Sequence, residues 1–89
     1  MSENVYIGSK PILNYVTAIA SALQRAENVT VKARGRAISS AVDVVEVTRN
    51  RFLPDIIIDG IDIGTERLEG ENGERNVSTI VITLSRGKR

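Results

Sequence analysis

Val29-Thr30-Val31-Lys32-Ala33-Arg34-Gly35-Arg36-Ala37-Ile38 is the stretch that decides how this chain folds. Val29, Val31 and Ala33 alternate with Thr30, Lys32 and Arg34, the period-2 pattern of a strand with one buried face. Lys32 and Arg34 therefore project from the same solvated side. Gly35 lets the backbone turn sharply, and Arg36 stands at or just before the start of the next helix. Lys32, Arg34 and Arg36 are three cations in five residues with no acid among them. Crowded cations repel each other unless an anion is near, and Arg suits bidentate contact with phosphate. A solvated basic strand end fits the spacing equally well.

Working outward, Val5-Tyr6-Ile7 reads as a short first strand that ends at Gly8. Gly8-Ser9-Lys10-Pro11 is then a turn into a helix over residues 11–25, with Pro11 at its first position and Ser9 or Lys10 as cap. Ile12, Val16, Ile19, Ala20 and Leu23 recur at helical spacing, opposite Asn14, Ser21 and Arg25. Beyond the strand at about 28–34, a second helix is expected over about 36–50. Ile38, Ala41, Val42, Val45 and Phe52 trace its apolar side, and Val44 and Val47 widen that side past half the circumference. Such a surplus suggests burial on two sides, by the core and by a second subunit. Pro54 stops the helix or its trailing turn.

Ile56-Ile57-Ile58-Asp59-Gly60-Ile61-Asp62-Ile63 is a strand whose apolar parity shifts at Asp59-Gly60, which implies a β-bulge. Residues 66–76 read as a polar hairpin loop, and Val77 to Ser85 as the last strand. In that strand Ile80, Ile82 and Leu84 share one side, and Val77, Thr79, Val81 and Thr83 the other. The tail Arg86-Gly87-Lys88-Arg89 is basic and expected to be mobile. The order is β-α-β-α-β-β, an α+β two-layer sandwich with a four-stranded mixed sheet and both helices on one face. Residues 1–89 are expected to form a single domain.

Composition narrows the function. The net charge is only +1, but residues 1–55 hold seven Lys/Arg against five Asp/Glu (+2), and residues 56–89 five against six (−1). A polyanion surface would have to be a local patch. Histidine and cysteine are both absent, which removes the commonest general base, the commonest metal ligand and the best thiol nucleophile. No carboxylates or serines are spaced as a catalytic set, so an enzyme, a metal site and a cofactor are not expected. A signal peptide and an apolar run of membrane-spanning length are not seen, and the cytoplasm is the expected location.

Gly8-Ser9-Lys10-Pro11 puts a glycine, a hydroxyl and a cation at a helix N-terminus, where free N–H groups favour an anion. Alone it reads best as a capping turn. Its weight rises because two βα junctions, at 8–11 and 34–37, each carry a glycine and cations. Parallel strands would bring both to one sheet edge, so that Lys10, Arg34 and Arg36 form one patch. Phe52 and Leu53, after Arg49-Asn50-Arg51, fit an anchor for another copy of the protein or a cover for the core. Tyr6 and Tyr15 fit either a nucleic-acid surface or, more commonly, a core or interface.

Several blocks resemble the Alba family of archaeal chromatin proteins: residues 7–16 (Ile7-Gly8-Ser9-Lys10-Pro11-Ile12-Leu13-Asn14-Tyr15-Val16), Lys32 through Ile38, Ala41-Val42-Asp43, Arg49 through Pro54, and Asn76-Val77-Ser78-Thr79-Ile80. The resemblance covers nearly the whole chain in matching order. It implies a fold similar to the C-terminal domain of translation initiation factor three. It implies a homodimer that binds double-stranded DNA without strong sequence preference, that also binds RNA, and that is chromosome-associated. Nucleic-acid contacts would fall on Lys10, Asn14, Lys32, Arg34 and Arg36, and on Arg75 in a hairpin arm at about residues 65–77. Phe52 and Leu53 would lie where dimers meet side by side on DNA.

Two departures from the family pattern bear on function. Family members often carry two lysines in the first turn, the first a target of reversible acetylation. Ser9 stands at that position here, so acetylation, and with it a deacetylase partner, would have to act at Lys10. The arm is also acidic: Glu66, Glu69, Glu71 and Glu74 face Arg67 and Arg75, a local charge of −2. Weaker duplex binding, made mostly by the body of the dimer, is the expectation. Three alternatives stand beside the chromatin role: a mainly RNA-directed protein, a weak DNA binder with some sequence preference, and an interaction module whose basic patch is merely solvated.

Overall fold

The alternation at residues 29–33 gives the sheet its buried face. The computed structural model, which describes residues 2–87, has strand β1 at Ser2–Tyr6, helix α1 at Ile12–Arg25 and strand β2 at Asn28–Arg34. Helix α2 spans Ala37–Val47 and runs into a π-helical turn at Thr48–Phe52. Strand β3 spans Ile56–Gly70 and strand β4 Gly73–Arg86. The strands lie in the order β1-β2-β4-β3, with β1 parallel to β2 and the other pairings antiparallel. Val29 pairs with Leu84, Val31 with Ile82 and Ala33 with Ile80. These side chains are buried with Val16, Ile19 and Leu23 of α1 and Ala41, Val44 and Val45 of α2. Each fully buried aliphatic side chain contributes roughly 1.5–3 kcal/mol. The expected α+β architecture, a four-stranded mixed sheet with two helices, is the one observed.

Several local expectations need correction. In α1 the buried stripe is Tyr15, Val16, Ile19, Ala22 and Leu23, while Ile12 is exposed at the first turn. Pro11 is the residue before the helix, extended at ψ 146°, and neither Ser9 nor Lys10 caps it. Gly35 takes a left-handed φ of 60°, which admits the abrupt exit from β2, and Arg36 precedes α2. That helix ends at Val47, earlier than expected. Leu53 N–H reaches the Thr48 carbonyl at 2.7 Å, an i to i+5 bond, and the Thr48 hydroxyl donates to the Val44 carbonyl at 2.7 Å. Pro54 has no N–H with which to continue the helix. In this wider turn Leu53 packs on the core and Phe52 is 51% exposed.

The bulge occurs where the parity shift placed it, between Ile58 and Gly60. It keeps Ile58, Ile61 and Ile63 on the helix side of the sheet, opposite Leu84, Ile82 and Ile80. The largest difference lies beyond. Residues 66–76 are not a loop: β3 and β4 stay paired out to Gly70 and Gly73, and Glu71 and Asn72 alone make the turn. This two-stranded arm stretches the molecule to 51 × 24 × 19 Å. The radius of gyration is 13.9 Å, where a compact chain of this length would have about 12 Å. Arg86 is not part of a free tail; it ends β4 and donates to both Asp55 carboxylate oxygens at 2.8 and 3.1 Å. Lys88 and Arg89 lie outside the described residues. At the opposite edge of the sheet, on β1, Arg25 donates to both Glu3 oxygens at 2.9 and 2.7 Å and thereby holds the Glu3 carboxyl below its ordinary value.

Candidate nucleic-acid interface

Because β1 and β2 run parallel, the turns that follow them emerge at the same edge of the sheet. The arm leaves from this edge too, since Arg34, the last residue of β2, pairs with Thr79 and Gly35 N–H donates to Ser78 at 2.9 Å. One edge therefore carries Lys10, Arg34, Arg36 and the root of the arm.

The first turn is held from inside. Tyr15, one turn into α1 and 8% exposed, accepts the N–H groups of Gly8 at 2.9 Å and Lys10 at 3.0 Å on its phenolic oxygen. Tyr15 is thus a core residue whose polar tip fixes the loop that presents Lys10. Tyr15→Phe strands two amide donors in a partly buried turn. It is expected to lower stability by about 1–3 kcal/mol, read as a lower urea midpoint with an unchanged slope.

The remaining site residues fall into three neighbouring hollows. Lys10 and Asn14 line one with Tyr6 and Leu13. Lys32 and Arg34 line a second, on the open face of the sheet, with Tyr6, Glu66, Thr79 and Val81. Arg36 lines a third with Arg75, Asn76 and Val77. Lys10, Arg34 and Arg36 share an edge, as the two parallel βα junctions require, but occupy separate parts of it. Arg75 is brought close to Arg36 by the root of the arm.

Sequence reasoning missed the partner of Arg34. Its Nη1 donates to Glu66 Oε1 at 2.6 Å, with both side chains about half exposed. Arg34 stands opposite Thr79 and Thr79 opposite Gly64, so Glu66, two residues along, lies on the same face. Strand parity would have revealed this had β3 been carried past Ile63. The other acids of the arm are placed differently. Glu69 and Glu74 are paired on the opposite face beside Arg67, whose Nε is 3.4 Å from Glu74, and Glu71 is in the turn. Among the described residues, Lys10, Lys32, Arg36 and Arg75 form no ion pair.

A second surface is apolar. Ile61 and Ile63 face the helix side of the sheet beyond the reach of α2, 57% and 83% exposed, and Val42 of α2 is 44% exposed. Ile38 and Ile80 line the hollow next to Ile63. Through Ile38, α2 and the edge strand share one apolar hollow.

The sequence model of the Alba family matches residues 3–65. DNA/RNA-binding protein Alba 1 of Archaeoglobus fulgidus is 50% identical over 88 residues, covering 97% of this chain and 99% of its own length. DNA/RNA-binding protein Alba of Methanocella arvoryzae is 54% identical over 84 residues, or 92% of this chain and 88% of that protein. The solved structure of Alba from Thermoplasma volcanium matches with a TM-score of 0.88 at 48% identity, covering 93% of this chain and 99% of that one. The sheet order, the two glycine-bearing βα junctions and these matches agree, and the chain belongs to the Alba family.

Proposed function

We propose that residues 1–89 act as one nucleic-acid-binding domain that pairs into a homodimer and binds double-stranded DNA through its phosphates, largely without regard to sequence. The role is coating and compaction of the chromosome, with RNA as a further ligand. The observation that carries the reading is the shared sheet edge, where Lys10, Arg36 and Arg75 form no ion pair among the described residues and Arg34 ends the neighbouring strand. The DNA/RNA-binding names of the relatives support it. Cations at strand ends and turns reach backbone phosphates, which position a protein but carry no sequence information. Ile61, Ile63 and Val42 supply the surface on which two copies pair. Among the described residues no helix is long and apolar enough to cross a membrane, in keeping with a nucleoid protein.

Two finer assignments belong to the same reading. Phe52, exposed at the end of the π turn, is the contact between neighbouring dimers along DNA, while Leu53 supports it from the core. Lys10, exposed and without an ion pair among the described residues, is the lysine through which acetylation and a deacetylase would tune binding.

Lys10, Arg34 and Arg36, doubled by the dimer, give about six phosphate contacts, so log K should fall against log salt with a slope of roughly −5. Binding to a random duplex and to a structured RNA of equal length, titrated across salt, tests this. A shallow slope, or binding to neither polymer, would sink the reading, and a clear preference for RNA would move the protein to RNA metabolism. Arg36→Ala is expected to weaken duplex binding about tenfold for every sequence alike, and to flatten the slope by about 2 for its two copies. A loss confined to some sequences would count against phosphate contact.

A further inference from the structure

The open face of the sheet has a feature that phosphate binding does not require. Strand parity turns Val5 and Ile7 into the core and Tyr6 outward, where it is 65% exposed beside Lys32 on the neighbouring strand. The Lys32 ammonium lies 5.8 Å from the centre of the Tyr6 ring, within reach of a cation–π contact. Ring and ammonium line an open hollow of about 580 Å³ together with Thr79, Val81 and the Arg34–Glu66 pair. This volume is within the range of roughly 300–1,000 Å³ usual for sites that hold small ligands.

The chemistry of the hollow distinguishes among its occupants. A duplex backbone presents closely spaced phosphates, and the Glu66 carboxylate would repel a second phosphate beside the first. The Arg34–Glu66 wall instead offers donors and an acceptor together, as the edge of a nucleobase does. An exposed aromatic ring offers a base its face, the contact by which proteins hold unpaired nucleotides. Lys32 forms no ion pair among the described residues, and its ammonium on a flexible stem can exchange the ring for a phosphate. In a base-paired duplex no base face is free, so this chemistry has no use for Tyr6.

We propose that this face is a second site, which takes an unpaired nucleotide of single-stranded nucleic acid, its base stacked on Tyr6 and its phosphate at Lys32. Arg34 and Glu66 bound the base edge. The site deepens the nucleic-acid reading and rests on it in one respect, since Arg34 serves both the edge and the face.

The test uses the intact protein with three probes: a uridine decamer RNA, a thymidine decamer DNA and a blunt random duplex. The chain has two tyrosines and no tryptophan, and Tyr15 is buried. Quenching of tyrosine fluorescence by either decamer therefore reports Tyr6, and the duplex should quench little. Tyr6→Ala is expected to weaken decamer binding about tenfold, the size of one lost stacking contact, and to change duplex binding less than about twofold. Tyr6→Phe keeps the stacking face and should bind both as the wild type does. Because Tyr6 is exposed, unchanged circular dichroism should accompany both variants.

Decamer binding insensitive to Tyr6→Ala overturns the proposal, as does an equal loss for duplex and decamers, which would assign Tyr6 to the duplex surface. Wild-type binding to the duplex but to neither decamer overturns the proposal and leaves the chromatin reading intact. Binding to the decamers but not the duplex does the reverse. A preference between the RNA and DNA decamers identifies the source of the strand and supports the site either way.

Discussion

Ile63→Asp is expected to turn the protein into a monomer that binds duplex DNA at least about a hundredfold more weakly. Single exposed aliphatic side chains are ordinary on protein surfaces. Ile63, at 83% exposure, is different because Ile61 is exposed on the same face of the same strand and the hollow next to Ile63 leads to Ile38 of α2 and to Ile80. A contiguous apolar surface on an edge strand and a helix is one that a second copy would cover. An aspartate there would have to lose its water without a partner, a cost of several kcal/mol in each copy. The single chain gains almost nothing from Ile63, so the variant should keep its fold and its circular dichroism. Duplex affinity falls because two linked sets of cations bind with an effective-concentration advantage of about 10²–10⁴ that one set lacks. Sedimentation should show two chains for the wild type and one for the variant, and the salt slope should drop to about half. A variant that still sediments as a dimer would place the pairing surface elsewhere.

The same residues show why the body of the fold was legible in the residue pattern while the arm, at about residues 65–77, was legible only through the family resemblance. In β2 and β4 one face is buried, so Val29, Val31, Ala33 and Ile80, Ile82, Leu84 leave a period of two that cannot be mistaken. The bulge was legible because Ile58 and Ile61 both had to face the helices, which costs one residue of register at Asp59. Beyond Ile63 the strand has solvent on both faces. Thr65, Glu66, Arg67 and Glu69 are all exposed and carry no periodicity to read. Polar residues with glycines look the same in a loop and in a free-standing arm, and only the pairing with β4 separates them. The π turn left no mark either, because it depends on which carbonyl Leu53 N–H selects once Pro54 has blocked continuation.

At the site, legibility divides in the same way. That Lys10 and Arg36 would emerge at one edge followed from the order β-α-β-α, because parallel strands put their exits together. Tyr6 reads in the sequence as either a surface or a core residue, and the burial of Val5 and Ile7 on either side is what turns it outward. The role of Tyr15 did not follow from the sequence, since it depends on a side chain folding back onto the amides of Gly8 and Lys10. Nor did the Arg34–Glu66 pair, which joins positions 32 residues apart through the register of an arm with no pattern of its own.

That pair makes Arg34→Ala the most damaging single change expected on the basic surface, with duplex affinity falling about 50-fold for all sequences alike. Losing the guanidinium removes one phosphate contact per copy, as Arg36→Ala does. It also strips Glu66 of the partner that neutralises it at 2.6 Å, and the bare carboxylate then faces the incoming phosphates. Two unit charges about 4 Å apart interact by roughly 1 kcal/mol even in water, and the dimer would carry two such carboxylates. The reverse change separates the terms. Glu66→Gln leaves Arg34 in place and removes a carboxylate that Arg34 already neutralises, so duplex binding should tighten only about twofold, and the salt slope, in which Arg34 is already counted, should change little. As an ion pair within the folded chain, exposed on both sides, it contributes little to stability. Both variants should therefore melt near the wild type. In the double variant Arg34→Ala/Glu66→Gln the repulsion is gone, and the loss should shrink to the tenfold expected of Arg36→Ala. If Glu66→Gln has the same effect with Arg34 present as with it absent, Glu66 acts as one more distant negative charge. If the two effects differ, the carboxylate competes with phosphate for Arg34, and the acid in the arm sets how tightly the body of the dimer holds DNA.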